Sequence, residues 1–146
     1  MPSVLIVDDE RSIRQLVGRW LGDAGYTYHE SENADMALAV MAEHKSGVVF
    51  CDVQMPGHDG LWLTRQIRAQ YPTTAVVLAT GVTTVPPNVS MQSGVLAYLV
   101  KPFRRETLLA SLEEALKWHE LAVASGSRGV GDPAAFEDWL DNLDKG

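Results

Sequence analysis

Four short apolar runs punctuate the chain, and each stops abruptly on polar residues. VLIV at 4–7 meets Asp8, Asp9 and Glu10, and VVFC at 48–51 meets Asp52. AVVLA at 75–79 meets Thr80 and Gly81, and VLAYLV at 95–100 meets Lys101 and Pro102. Unbroken apolar runs of this length are typical of strands covered by helices on both faces of a parallel sheet. The more polar stretch at 26–29 predicts a further strand, at an edge of that sheet.

Between the runs the spacing becomes helical. Ile13, Leu16, Val17, Trp20 and Leu21 recur at intervals of three and four, a stripe that one helix face can bury. Asn33 is placed to cap a second helix carrying Ala34, Ala37, Leu38 and Met41. Asp59 can cap a third with Leu61, Leu63 and Ile67, ending before Pro72. A last helix is predicted from Arg104 to about His119, with Leu108, Leu109, Leu112, Ala115 and Leu116 inward. The segment VTTVPPNVSMQSG is the exception. Pro86 and Pro87 cannot lie inside a regular helix, so an irregular or shortened fourth helix is expected, confined to about 88–92. Strand and helix alternate five times. With right-handed crossovers this predicts an α/β fold, a five-stranded parallel sheet between two helical layers. Periodicity leaves the strand order open, but any such sheet places its site at the carboxyl ends of the strands.

Composition adds limits. With 146 residues, 46% of them hydrophobic, the chain suffices for one domain with a real core but not for two ordinary ones. No stretch reaches the 18 or so apolar residues of a membrane span. The N-terminal residues carry no basic region and meet acids directly, unlike a secretion signal, so a cytoplasmic location is expected. The single cysteine, Cys51, excludes an internal disulfide and fits a reducing compartment. A net charge of −7 disfavours direct binding to nucleic acid. His29, His44 and His119 are scattered and form no close cluster with cysteine, which argues against structural zinc. Beyond His119 the chain turns small and Gly-rich. It then places Phe136, Trp139, Leu140 and Leu143 among acids, the pattern of a short amphipathic acidic tail. The expected division is a domain over 1–121, then a linker and tail over 122–146.

The strand ends bring together Asp8, Asp9, Asp52, Thr80 and Lys101. Three carboxylates facing one crevice repel one another, and a hard divalent cation would offset that cost. Mg2+ prefers carboxylate, carbonyl and water oxygens. A carboxylate can also attack phosphorus. The phosphoryl oxygens would then meet the cation, the Lys101 ammonium and the Thr80 hydroxyl, with further donors in the backbone N–H groups of Val53 and Gly81. Taken singly each residue has a plain explanation: Asp8 or Asp52 as a helix cap or surface acid, Thr80 as a turn residue, Lys101 as a solvated charge. Their complementary chemistry at one end of one sheet carries the stronger reading.

Four blocks in this order, VLIVDDE at 4–10, CDVQMPGHDG at 51–60, LATG at 78–81 and YLVKPF at 98–103, resemble the receiver domain of bacterial two-component response regulators, the chemotaxis-regulator type included. The likeness spans roughly residues 3–118. It implies a flavodoxin-like (βα)5 three-layer sandwich with strand order 2-1-3-4-5. It also implies that Asp52 accepts a phosphoryl group from a sensor histidine kinase or phosphotransfer protein. Asp8, Asp9, Asp52 and the backbone carbonyl of Gln54 would hold Mg2+, with Mn2+ as a substitute. Lys101 would pair with the phosphoryl group, and Lys101–Pro102 would be a cis peptide. Thr80 and Tyr98 would form a switch pair that remodels a protein-binding surface. That surface would address an effector protein, a C-terminal output domain or a second copy of the chain. Such a domain catalyses only its own phosphorylation and dephosphorylation. Pro86 and Pro87 depart from the family pattern on the expected signalling face. The rival reading is a degenerate receiver that acts as a phosphorylation-independent interaction or dimerisation module. An aspartyl phosphatase would want a larger substrate pocket, and a flavin site would be repelled by Asp8, Asp9 and Glu10.

Overall fold

A computed structural model of the chain describes residues 2–81 and 94–125. The expected short helix at 88–92 and the acidic tail from 132 lie outside the described residues. In chain order the elements are β1 (Val4–Val7), α1 (Arg11–Asp23), β2 (Tyr28–Ser31), α2 (Ala34–His44) and β3 (Val48–Asp52). They continue with α3 (Gly60–Gln70), β4 (Ala75–Thr80), β5 (Val95–Val100) and α4 (Arg105–Ala124). The strands are all parallel, in the order β2-β1-β3-β4-β5. The chain therefore has the flavodoxin-like fold that the four sequence blocks implied.

The period of two along each strand divides the core into layers. Leu5, Val7, Val49, Cys51, Val76 and Leu78 face one way and pack with Ala37 and Met41 of α2 and Leu63 and Ile67 of α3. Val4, Ile6, Val48, Phe50, Val77 and Ala79 face the other way, against Val17 and Leu21 of α1 and Leu108, Leu112 and Ala115 of α4. Burial on both faces is why β1, β3 and β4 read as continuous apolar runs. The two expected caps are present. Asn33 accepts from the Met36 N–H and Asp59 from the Trp62 N–H, both at 2.8 Å.

Two boundaries differ from expectation. The edge strand begins at Tyr28, not Tyr26, because the Tyr26 N–H closes the end of α1 on the Leu21 carbonyl at 2.9 Å. Pairing with β1 then sets Val4 opposite Tyr28 and Val7 opposite Ser31. The last helix continues past His119 to Ala124. Ala122 is 1% exposed, so the small residues taken as the start of a linker at 122 supply helix-favouring alanines and one more core contact.

Candidate functional site

The strand ends assemble one polar cluster on an apolar base. Asp8 follows Val4 and Ile6 by the period of two, and Asp52 follows Val48 and Phe50, so both acids come off the sheet on the α1 and α4 side. β1 and β3 are neighbours, with Val7 opposite Cys51, which sets the two carboxylates side by side. Asp8 is fully buried and Asp52 is 4% exposed, while Asp9 is exposed. Carboxylate oxygens of all three lie within 4.8 Å of one another.

Lys101 supplies the opposing charge. Its Nζ donates to Asp8 Oδ2 at 2.8 Å and to Asp52 Oδ2 at 3.2 Å. The Lys101 N–H donates to the Thr80 carbonyl at 2.7 Å, which ties the start of the β5–α4 loop to the end of β4. The Lys101–Pro102 peptide is cis, as the resemblance implied. Burial alone would lower the pKa of the Lys101 ammonium. Its bond to Asp8 and the charges of Asp8 and Asp52 outweigh that, and the net shift is upward. Burial, then the charge of Asp8, pushes the Asp52 carboxyl above its ordinary range, against the pull of Lys101 and the Gln54 N–H. Three carboxylates and one ammonium sum to −2. An oxygen-only donor set with that balance fits a hard divalent ion such as Mg2+.

The backbone donors are arranged differently from the sequence-based assignment. The Val53 N–H is occupied by the Ala79 carbonyl at 2.8 Å, continuing the pairing of β3 with β4, so it does not face the carboxylate. The amide directed at Asp52 belongs to Gln54, whose N–H reaches Oδ1 at 3.2 Å. Among the described residues, no atom lies within 4 Å of a Cβ added at Gly81. Gly60 is different. A Cβ at that position would run into the Asp52 carbonyl and come within 2.8 Å of Val53 Cα. The first residue of α3 must be glycine for the helix to start this close beneath the acid. The preceding loop turns at Gly57, with φ +78°.

Thr80 is 1% exposed and lies one position beyond Ala79, the residue paired with Asp52. Tyr98 is half-buried and packs against the α2–α3 side of the core. Burial, then the charge of Asp52, raises its phenol pKa.

Arg14 and Glu10 were not singled out by sequence pattern. Arg14 Nη1 donates to the Asp8 carbonyl at 2.6 Å, and the Glu10 N–H donates to Asp8 Oδ1 at 2.9 Å. Nothing in the spacing separates Arg14 from Arg11 or Arg19 on the same helix. Beside the cluster, Glu10, Ile13, Leu16, Trp20, Pro102 and Phe103 line a cavity of about 350 Å³ that reaches Lys101.

Comparison with known proteins agrees with this geometry. The family model for the response regulator receiver domain matches residues 4–113. The C4-dicarboxylate transport transcriptional regulatory protein DctD of Rhizobium meliloti is 34% identical over 93% of this chain, which spans 30% of that protein. Among solved structures, chemotaxis protein CheY4 of Vibrio cholerae superposes with a TM-score of 0.70 at 36% identity. That alignment covers 80% of this chain and 99% of the other. Response regulator TrrA of Thermotoga maritima, solved in complex with Mg2+ and BeF, superposes with a TM-score of 0.71 at 29% identity. It is matched over 80% of this chain and 100% of its own. The acid cluster, the sheet order and these likenesses place the chain in the response regulator receiver family of two-component systems.

Proposed function

We propose that the chain is a phosphorelay receiver in which Asp52 accepts a phosphoryl group from a histidine kinase or phosphotransfer protein. The supporting observation is the pair of hydrogen bonds that the Lys101 ammonium donates to Asp8 and Asp52, with the third acid, Asp9, facing the same centre. Mg2+, or Mn2+ in its place, would be held by Asp8, Asp9, Asp52 and the Gln54 carbonyl. When bound, it would supply positive charge for the phosphoryl oxygens in the transition state. The remaining chemistry belongs to the side chains. An ionised Asp52 oxygen attacks phosphorus and forms the new O–P bond. The N–P bond of the donor phosphohistidine breaks, and its electron pair stays on the imidazole nitrogen, which takes a proton from solvent. Lys101 transfers its hydrogen bond from Asp52 to a phosphoryl oxygen, and the Gln54 and Gly81 N–H groups and the Thr80 hydroxyl complete the cradle. Water later attacks phosphorus and regenerates the carboxylate. The chain thus processes only its own phosphoryl group.

The apolar cavity beside Lys101 supports the same reading, since a protein donor must seat itself within reach of Asp52. Among the described residues no helix is long and apolar enough to cross a membrane, which accords with a cytoplasmic role. The receiver unit is proposed to take in the whole of α4, to Ala124, with the tail to 146 outside it. The switch is proposed to run through Thr80 and Tyr98, which lie on the adjacent strands β4 and β5. New bonds to the phosphoryl group would draw Thr80 toward the site and let the half-buried ring move inward. The message would pass to an effector protein, an output domain or a second copy of the chain.

The test is intact-mass analysis after incubation with acetyl phosphate. Wild type is expected to gain one phosphoryl group only with Mg2+, and Asp52→Ala none. Continued labelling of Asp52→Ala would overturn the assignment.

A further inference from the structure

We propose that Arg14 is a positioning residue for the cation site, acting on Asp9 through the backbone on either side of it. The proposal rests on the reading of Asp9 as a Mg2+ ligand. Asp8 and Asp52 are fixed by their own side chains. Asp8 Oδ1 accepts from the Glu10 N–H, Asp8 Oδ2 from Lys101, and Asp52 from both Lys101 and Gln54. The Asp9 carboxylate is exposed, and among the described residues it has no side-chain hydrogen bond. Its place depends on the chain that carries it.

Arg14 holds that chain at both neighbours. Its side-chain Nη1 donates to the carbonyl of Asp8 at 2.6 Å, and its backbone N–H donates to the carbonyl of Glu10 at 3.2 Å. Asp9 lies between the two anchors. The guanidinium is well enclosed, with the side chain only 13% exposed, so water competes poorly for the bond to Asp8. Its second arm reaches β2, where Nε lies 3.6 Å from Glu30 Oε1. Glu30 does two things there. It fixes the far side of the guanidinium, and it offsets a positive charge that would otherwise repel a cation at the acids. A planar fork can serve the carbonyl and the carboxylate together, whereas a lysine ammonium is a single point on a flexible stem. Outer groups that orient metal ligands typically change metal affinity by about 10-fold or more when removed.

The experiment is calorimetric titration of the full chain with Mg2+ alone, with folding checked by circular dichroism and thermal melting in EDTA. Arg14→Met and Arg14→Lys are both expected to bind Mg2+ about 10-fold more weakly. Arg14→Lys keeps the charge and the apolar stem, so it remains informative if Arg14→Met does not fold. In an Asp9→Asn background, Arg14→Lys is expected to cause no further loss, because the residue it positions is gone. A role confined to fold stability would lower affinity equally in both backgrounds and would overturn the proposal. So would unchanged affinity in Arg14→Lys. Unchanged binding by folded Arg14→Met would mean that Arg14 does not act on the site, and tighter binding that it acts only as a repelling charge; either overturns the proposal. If wild type itself bound no Mg2+, the proposed function would fail together with this inference. Wild-type binding with indifferent Arg14 variants sinks the inference alone.

Discussion

Replacing Asp52 with asparagine is expected to stabilise the metal-free chain at neutral pH while abolishing its chemistry. The carboxylate is 4% exposed, has Asp8 and Asp9 oxygens within 4.8 Å, and lies 3.2 Å from Lys101 Nζ. At an effective dielectric constant of about 20, repulsion from buried Asp8 costs roughly 3.5 kcal/mol. Exposed Asp9, screened by water, adds about 1 kcal/mol. Attraction to Lys101 offsets roughly 5 kcal/mol, and that same ammonium is shared with Asp8. The charge terms nearly cancel. Desolvation of the carboxylate, several kcal/mol for a buried ion, therefore decides the sign, and it is unfavourable.

Asparagine has the same shape, is neutral, and keeps an oxygen for the Gln54 N–H. A net gain on the order of 2 kcal/mol follows, or roughly 8 °C in melting temperature for a domain of this size. The pH dependence has a definite sign. The folded-state pKa of Asp52 is raised, so the folded protein holds this proton more tightly than the unfolded chain. Wild-type stability from this group is greatest below the unfolded carboxyl pKa of about 4 and is lost as pH rises through the folded value. The advantage of Asp52→Asn should be full at pH ~7 and vanish near pH ~3. Scanning calorimetry in EDTA at both pH values is the assay. An Asp52→Asn variant that melts at or below wild type near neutrality would refute the reasoning, and so would an advantage that persists undiminished in acid.

The same structure makes three further predictions. Gly60→Ala drives a Cβ into the Asp52 carbonyl, so urea unfolding should show a loss of about 1–3 kcal/mol, and phosphorylation should slow as the acid shifts. Lys101→Met removes a positive charge from beside the acids. Titration should find Mg2+ binding retained or tightened, while the rate of labelling by acetyl phosphate falls about 100-fold or more. Asn33→Ala deletes the cap on the Met36 N–H and should cost about 1 kcal/mol by urea unfolding.

The fold was legible because its core strands are buried on both faces. A run such as Val4–Val7 has no polar position and fits few other environments. The caps were legible for a different reason: Asn33 and Asp59 are short acceptors placed just ahead of apolar periodicity. Strand order was not contained in periodicity and came from the resemblance. The edge strand was misplaced by two residues. Tyr26 and Tyr28 pack against the same side of the core, and only the hydrogen bond from Tyr26 to Leu21 separates turn from strand. At the site, side chains were easier to read than backbone. Asp8, Asp9, Asp52 and Lys101 announce themselves by charge at strand ends. Which amide faces Asp52 depends on how far the pairing of β3 with β4 continues. That pairing consumes the Val53 N–H and leaves the one on Gln54. Arg14 was invisible for a related reason. Its partner is a main-chain carbonyl six residues back, and carbonyls leave no mark in a sequence.

A structure of the chain with Mg2+ and fluoroberyllate would test the central claim most directly. The account predicts the ion among Asp8, Asp9, Asp52 and the Gln54 carbonyl. Fluoroberyllate should sit on an Asp52 oxygen, with Lys101 Nζ swung from that carboxylate to a fluorine. Fluoroberyllate bound elsewhere, or an ion that leaves Asp9 and Asp52 untouched, would contradict it.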